Sequence, residues 1–320
     1  MEDKKRTKKI GATSVAVASD SDNQYEASYL KTGSTRGIIY QLKILTWITW
    51  KLMCQNDASI SNWWLATEVR NALGFHDLVL KYAINDVKGD GSISNKKYMY
   101  RFMQIKHKRS LQKNSNITSY HLLSQNKLHR QGSLIYLFKA YVNMLDSFEG
   151  ITPDQILDLT IFTNMNMEAF TFLVPVENDK LYGFEGKGKR FRIDIKALKK
   201  VPRIMVCLYN IKEDENIISG FLRKLVFMVC QPSEHELEEL IVADMGKTLI
   251  NTTQIFYDNL YKNIINWFLI YDAGKAPYLT EDRVVEHLKK IEAVLKKAKN
   301  TEIFVDPVSN LSDKLKLLFL

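Results

Sequence analysis

Cysteine is scarce and scattered in this chain: three residues in 320, Cys54, Cys207 and Cys230. None forms a CxxC pair or stands at ligand spacing from histidine, which argues against a thiolate-built structural zinc site. An odd, sparse set inside apolar runs points to buried thiols in a reducing compartment, so an intracellular protein, cytoplasmic or nuclear, is expected. Long apolar runs are missing too. The most apolar helical stretch, IIYQLKILTWITWKLM, carries Gln41, Lys43 and Lys51 and is short for a bilayer span, so no membrane association is expected. The opening MEDKKRTKKIGATSVAVASDSD has no apolar core of the secretory kind. Internal repeats are absent.

What is present is a globular composition. Apolar residues make up 46% of the chain, too many for a disordered protein, and the length suits about two domains. The formal charge of +9 fits a polyanionic partner such as nucleic acid. Residues 1–33 are polar, Ser-rich and aperiodic and read as a disordered basic tail. Its KKRTKK run, Lys4 to Lys9, suits either a solvated tail or a phosphate-binding or nuclear-import segment. Two units are expected beyond it, an α/β domain over 34–211 and a mostly helical domain over 212–320.

The apolar spacing predicts a buried helix over 36–55, with Ser34 or Thr35 as its cap. Strands are predicted over 62–69, 76–83 and 98–108, then a helix over 133–148 and a buried strand over 157–164. Phe191, Ile193 and Ile195 alternate as in a short strand. Ser233 with Glu236 reads as a capping box, and Gly246 as the end of that helix. Two more helices follow, the last capped by Thr280. The order of the first half is helix, three strands, helix, strand.

Chemistry concentrates in two of these strands. A strand alternates its side chains, so Gln104 and Lys106 share one face while Met103 and Ile105 take the other. Asp77 opens the neighbouring strand. A carboxylate and an amide oxygen suit Mg²⁺ or Mn²⁺, and a lysine on the same face can serve water or offset charge on a phosphate. Glu68, at the end of the first strand, offers a further oxygen ligand or a partner for a lysine. Gln41 either orients the site or satisfies backbone within its helix. His107 falls on the face opposite Lys106, and His76 faces away from Asp77 if its strand is regular. Lys108 and Arg109, and Lys187, Lys189 and Arg190 in GKGKR, suit phosphate contacts; a plain hairpin turn with solvated charge is the more common explanation of such runs. Trp63 and Trp64 read as core.

These residues resemble the restriction-endonuclease-like, PD-(D/E)XK, nuclease superfamily, whose core runs helix, three strands, helix, strand. The resemblance places the motif acid on Asp77 of FHDLVL and the third-strand motif on Gln104-Ile105-Lys106, the Q-x-K variant of Mrr-like and anti-phage effector nucleases. GIIYQ, with Gln41, is similar to the first-helix motif of that group. The combination RGIIYQLKIL, LATEVRNALGFHDLVL and YRFMQIKHK also resembles the N-terminal module of large arthropod proteins, often carrying ankyrin repeats. There the second strand commonly reads Phe-Asp-Asp; here His76 stands in place of the first acid. The resemblance covers roughly 36–165 and continues loosely downstream. It implies Mg²⁺- or Mn²⁺-dependent cleavage of nucleic acid, DNA in preference to RNA, with Asp77, Gln104 and Lys106 catalytic, Asp77, Gln104 and Glu68 on the metal, and a homodimer as one working state. The competing expectations are a degenerate nuclease fold that only binds nucleic acid or protein, and an innate-defence module. The closing KLKLLFL suits either a short helix packed back on the fold or a fragment or shortened relative of a longer chain.

Overall fold

The computed structural model describes residues 34–54, 60–72, 74–87, 93–108, 116–124, 132–148, 150–176, 188–247, 253–271 and 275–300. The tail, Arg109, Lys187 and the final KLKLLFL lie outside them.

The fold is mixed α/β, and its centre is one eight-stranded sheet. Helix α1 (Ser34–Met53) leads into β1 (Ile60–Ala66), β2 (Leu78–Val87) and β3 (Ile93–Lys106), an antiparallel meander. Two short elements, β4 (Asn116–Ile117) and α2 (Ser119–Leu122), precede α3 (Leu134–Ser147). Ser133 caps α3, its hydroxyl accepting from the Tyr136 N–H at 3.2 Å. The chain then enters β5 (Ile156–Thr163), which lies parallel to β3. This is the element order expected, with bounds shifted by a few residues. The Ser34 and Thr35 cap is a difference: both residues already lie in the helix.

After β5 come β6 (Asn166–Met167), which pairs with β4 in a second small sheet, β7 (Leu173–Pro175) and β8 (Lys189–Ile193). Ile195 departs from the predicted strand. Asp194 accepts from the N–H groups of Lys196 and Ala197 and starts a helical turn, α4 (Ile195–Leu198), so the alternation ends at Ile193. Helices α5 (Pro202–Tyr209) and α6 (Glu215–Lys224) follow, and α6 passes directly into β9 (Leu225–Val229). The last elements are α7 (Glu234–Gly246), α8 (Thr253–Phe268), β10 (Leu279–Thr280) and α9 (Glu281–Asn300). The Ser233–Glu236 capping box is present on α7.

The boundary expected at 211/212 separates no two units. Strand order is β10-β1-β2-β3-β5-β9-β8-β7, so β9 lies inside the sheet, parallel to β5 and antiparallel to β8, and β10 covers the outer edge of β1. Helices α1, α7, α8 and α9 share one core on one face of the sheet, and α3 to α6 build a second on the other. Covering both faces explains why β5 and β9 are almost wholly buried, as parallel strands usually are. None of the described helices is long and apolar enough to cross a membrane.

Candidate metal centre

The parallel strands β3, β5 and β9 end at the same rim of the sheet, where β2 begins. Open α/β sheets gather ligands at such carboxyl ends because loops diverge there and leave backbone groups unpaired. Asp77 sits at this rim just before β2, and Gln104 and Lys106 close β3. Side chains alternate along β3 as the sequence predicts. Met103 and Ile105 pack in the α1 core, Phe102 packs in the α3 core, and His107 stacks on Tyr40 of α1 with ring centroids 4.4 Å apart.

Asp77 is 6% exposed. Its Oδ2 accepts from the Ile105 backbone N–H at 2.6 Å and from the Gln104 side-chain amide. Gln104 therefore differs from the expectation that its oxygen faces the ion: it presents its nitrogen to the carboxylate and holds it in place. Burial pushes the Asp77 carboxyl above its ordinary range, and nearby Glu68 adds to this; the Ile105 N–H, His76 and Lys106 oppose it. Lys106 is half-buried, and desolvation draws its amine below the usual range while the charge of Asp77 pulls it back up. The two groups are thus electrostatically linked, and an amine of lowered affinity for its proton is suited to proton transfer.

Gln41 reaches the site from α1. Its amide donates to Thr67 Oγ1 at 3.0 Å, Glu68 Oε1 at 2.9 Å and the Asp77 carbonyl at 3.0 Å. Thr67 donates to the same carbonyl at 2.7 Å. Gln41 thus contacts both the Glu68 carboxylate and the backbone of Asp77. Glu68 has φ of +52°, the left-handed region that a non-glycine residue enters at a cost of about 1–3 kcal/mol. That turn ends β1 and swings the carboxylate back toward Asp77. Gly74, with φ of +90°, lets the same loop lie against α3; a Cβ there would fall 2.6 Å from Ala140 Cβ.

His76 belongs to the site, against expectation. The residue precedes β2 and makes only an isolated bridge to Met103, so strand alternation does not govern it. Its Nε2 lies 3.4 Å from Asp77 Oδ1 and 3.7 Å from Glu68 Oε2. One donor atom each from Glu68, His76 and Asp77 fall within 4.8 Å of one another. The sequence signal was the run of three metal-competent side chains around one loop.

The basic residues distribute along the rim. Lys108 is exposed, and Asn164, just past β5, clamps its backbone with bonds of 2.8 and 2.7 Å. Lys189 is exposed and pairs across β8–β9 with Val229, so it starts β8 at the rim, three strands and about 14 Å from β3. Arg190 follows it, half-buried. Trp63 is core as expected; Trp64 is partly exposed beside Tyr98 and Lys81. No family model matches the chain, and no curated protein matches its sequence.

Proposed function

We propose that this protein is a metal-dependent nuclease with a restriction-endonuclease-like core, acting on nucleic-acid phosphodiesters and preferring DNA. The observation that carries the reading is the meeting of Asp77, Gln104 and Lys106 at one rim of the sheet, with Glu68 beside them. The order α1-β1-β2-β3-α3-β5, an acid before the second strand and a Q-x-K at the end of the third agree with the superfamily that the sequence resembles.

Carboxylate oxygens of Asp77 and Glu68 suit a hard divalent cation such as Mg²⁺ or Mn²⁺. When bound, such an ion supplies Lewis acidity toward a phosphoryl oxygen and makes water a better nucleophile. The remaining work falls to the chain. Gln104 and the Ile105 N–H fix Asp77, Gln41 fixes Glu68, and Lys106 Nζ takes a proton from the attacking water or, charged, offsets the growing charge on phosphate. Lys108, Lys189 and Arg190 suit a phosphate backbone laid along the rim.

The test is cleavage of supercoiled plasmid with Mg²⁺ or Mn²⁺. Asp77→Ala and Lys106→Ala should each lower the rate at least about a hundredfold. No cleavage by the parent chain, or cleavage that persists in both variants, sinks the proposal. The amide nitrogen that Gln104 turns to Asp77 favours a second reading, a nuclease fold kept for binding alone. Duplex DNA binding that falls steeply with salt, without cleavage under any divalent ion, would establish it.

A further inference from the structure

We infer that His76 is a third ligand of the rim site and that it makes the site select a first-row ion of the manganese-to-zinc series over Mg²⁺. The inference deepens the reading above, because it rests on an ion held by Asp77 and Glu68 and names which ion that is.

Three observations converge on it. First, each carboxylate has one oxygen tied down and one directed at the imidazole. Asp77 Oδ2 is held by Ile105 and Gln104, which leaves Oδ1 facing His76 Nε2 at 3.4 Å. Glu68 Oε1 is held by Gln41, which leaves Oε2 facing the same nitrogen at 3.7 Å. Second, the two spacings to His76 Nε2 are close to those of donors around one small cation. Neighbouring ligands stand about 3.0 Å apart on a six-coordinate ion with bonds near 2.1 Å, and about 3.4 Å apart on a tetrahedral one. Third, the backbone on both sides is specialised: Glu68 holds a left-handed conformation, and Gly74 holds a positive φ against α3.

Imidazole decides the ion. Mg²⁺ takes oxygen ligands and gives up water reluctantly, whereas Mn²⁺, Co²⁺ and Zn²⁺ accept a neutral nitrogen readily. Two carboxylates alone suit Mg²⁺ and Mn²⁺ alike; a nitrogen between them tilts the choice toward the first-row ion. The alternative is that the two acids and the imidazole only contact one another, and then no ion is taken up.

The full chain, stripped with chelator, is titrated with MnCl₂ and separately with MgCl₂ by calorimetry, without nucleic acid. Pulsed electron paramagnetic resonance of the Mn²⁺ form reads out nitrogen coupling to the ion. Mn²⁺ should bind about tenfold or more tighter than Mg²⁺ and show one coupled nitrogen. His76→Ala should lose the coupling and most of the preference, and His76→Asp should lose the coupling and bind Mg²⁺ more tightly than the parent. Equal affinity for the two ions, no ion bound, or a coupling that survives His76→Ala overturns the assignment. Selective Mn²⁺ binding without plasmid cleavage would leave this site standing and remove the nuclease reading. Cleavage supported equally by Mg²⁺ and unaffected by His76→Ala would do the reverse.

Discussion

Asp158, midway along β5, and Asp77, at the foot of β2, are nearly equally buried, at 3% and 6% exposed. Asp158 is paired with the guanidinium of Arg101 from the adjacent strand and accepts from Thr160 Oγ1 at 3.1 Å. Asp77 accepts its hydrogen bonds from neutral donors, an amide and a backbone N–H; burial raises its proton affinity, His76 and Lys106 lower it, and a second acid, Glu68, works against them. The first arrangement answers its own charge. The second gathers two carboxylates around a single imidazole. A buried acid beside its own cation is part of the architecture; one placed beside another acid weakens the fold and makes sense where an external cation completes it.

The contrast is open to attack, most strongly at Arg101. Arg101→Met should lower stability by about 3–5 kcal/mol in urea unfolding, because it strands Asp158 in the core. Metal binding by the surviving folded fraction should be unchanged. Gly74→Ala comes next. It forces a side chain into a positive φ and against Ala140, and should cost about 2 kcal/mol. Unlike the Arg101 change it should also weaken ion binding, since it displaces the loop that carries His76 and Asp77.

Asp77→Asn should act in the opposite direction, raising stability by about 1 kcal/mol at neutral pH while abolishing ion binding. The sign follows from burial. A carboxyl whose affinity for protons is higher folded than unfolded makes the fold lose stability as pH rises from the ordinary carboxylate range through the raised folded value. Above that value the cost is full, and Asp77→Asn should remove this part of the pH dependence of the melting temperature. The smallest effect is Thr160→Val, about 0.5 kcal/mol destabilising, because Arg101 still answers Asp158. A loss as large as that of Arg101→Met would mean that the hydroxyl and not the guanidinium holds the acid.

The rim was legible in part, and the reason is local. Asp77, Gln104 and Lys106 stand at strand ends whose period of two survives folding, so their shared face could be read directly. Glu68 was named, but its left-handed turn had no signature such as glycine. His76 escapes the alternation because β2 begins only two residues later, at Leu78. The helix–strand junction at Leu225 was hidden inside one apolar run, GFLRKLVFMV, in which α6 and β9 share the same hydrophobic character. Pairings of β9 with β5 and of β10 with β1 join segments more than 60 and 200 residues apart, respectively. Periodicity carries no information about such partners, and the expected boundary at 211/212 failed there.

The pairing of Trp64 with Thr280 and of Leu65 with Leu279 also sets a timetable for biosynthesis. The first hairpins can form while the ribosome is still translating, but the outer margin of β1 waits for a segment made some two hundred codons later. Through that interval the nascent polypeptide shows an open ladder of amides and carbonyls, the template on which chains stick to one another. Truncation before residue 279 should therefore yield a product that needs chaperone shelter or collects in inclusion bodies, even though every residue of the rim site has already been made.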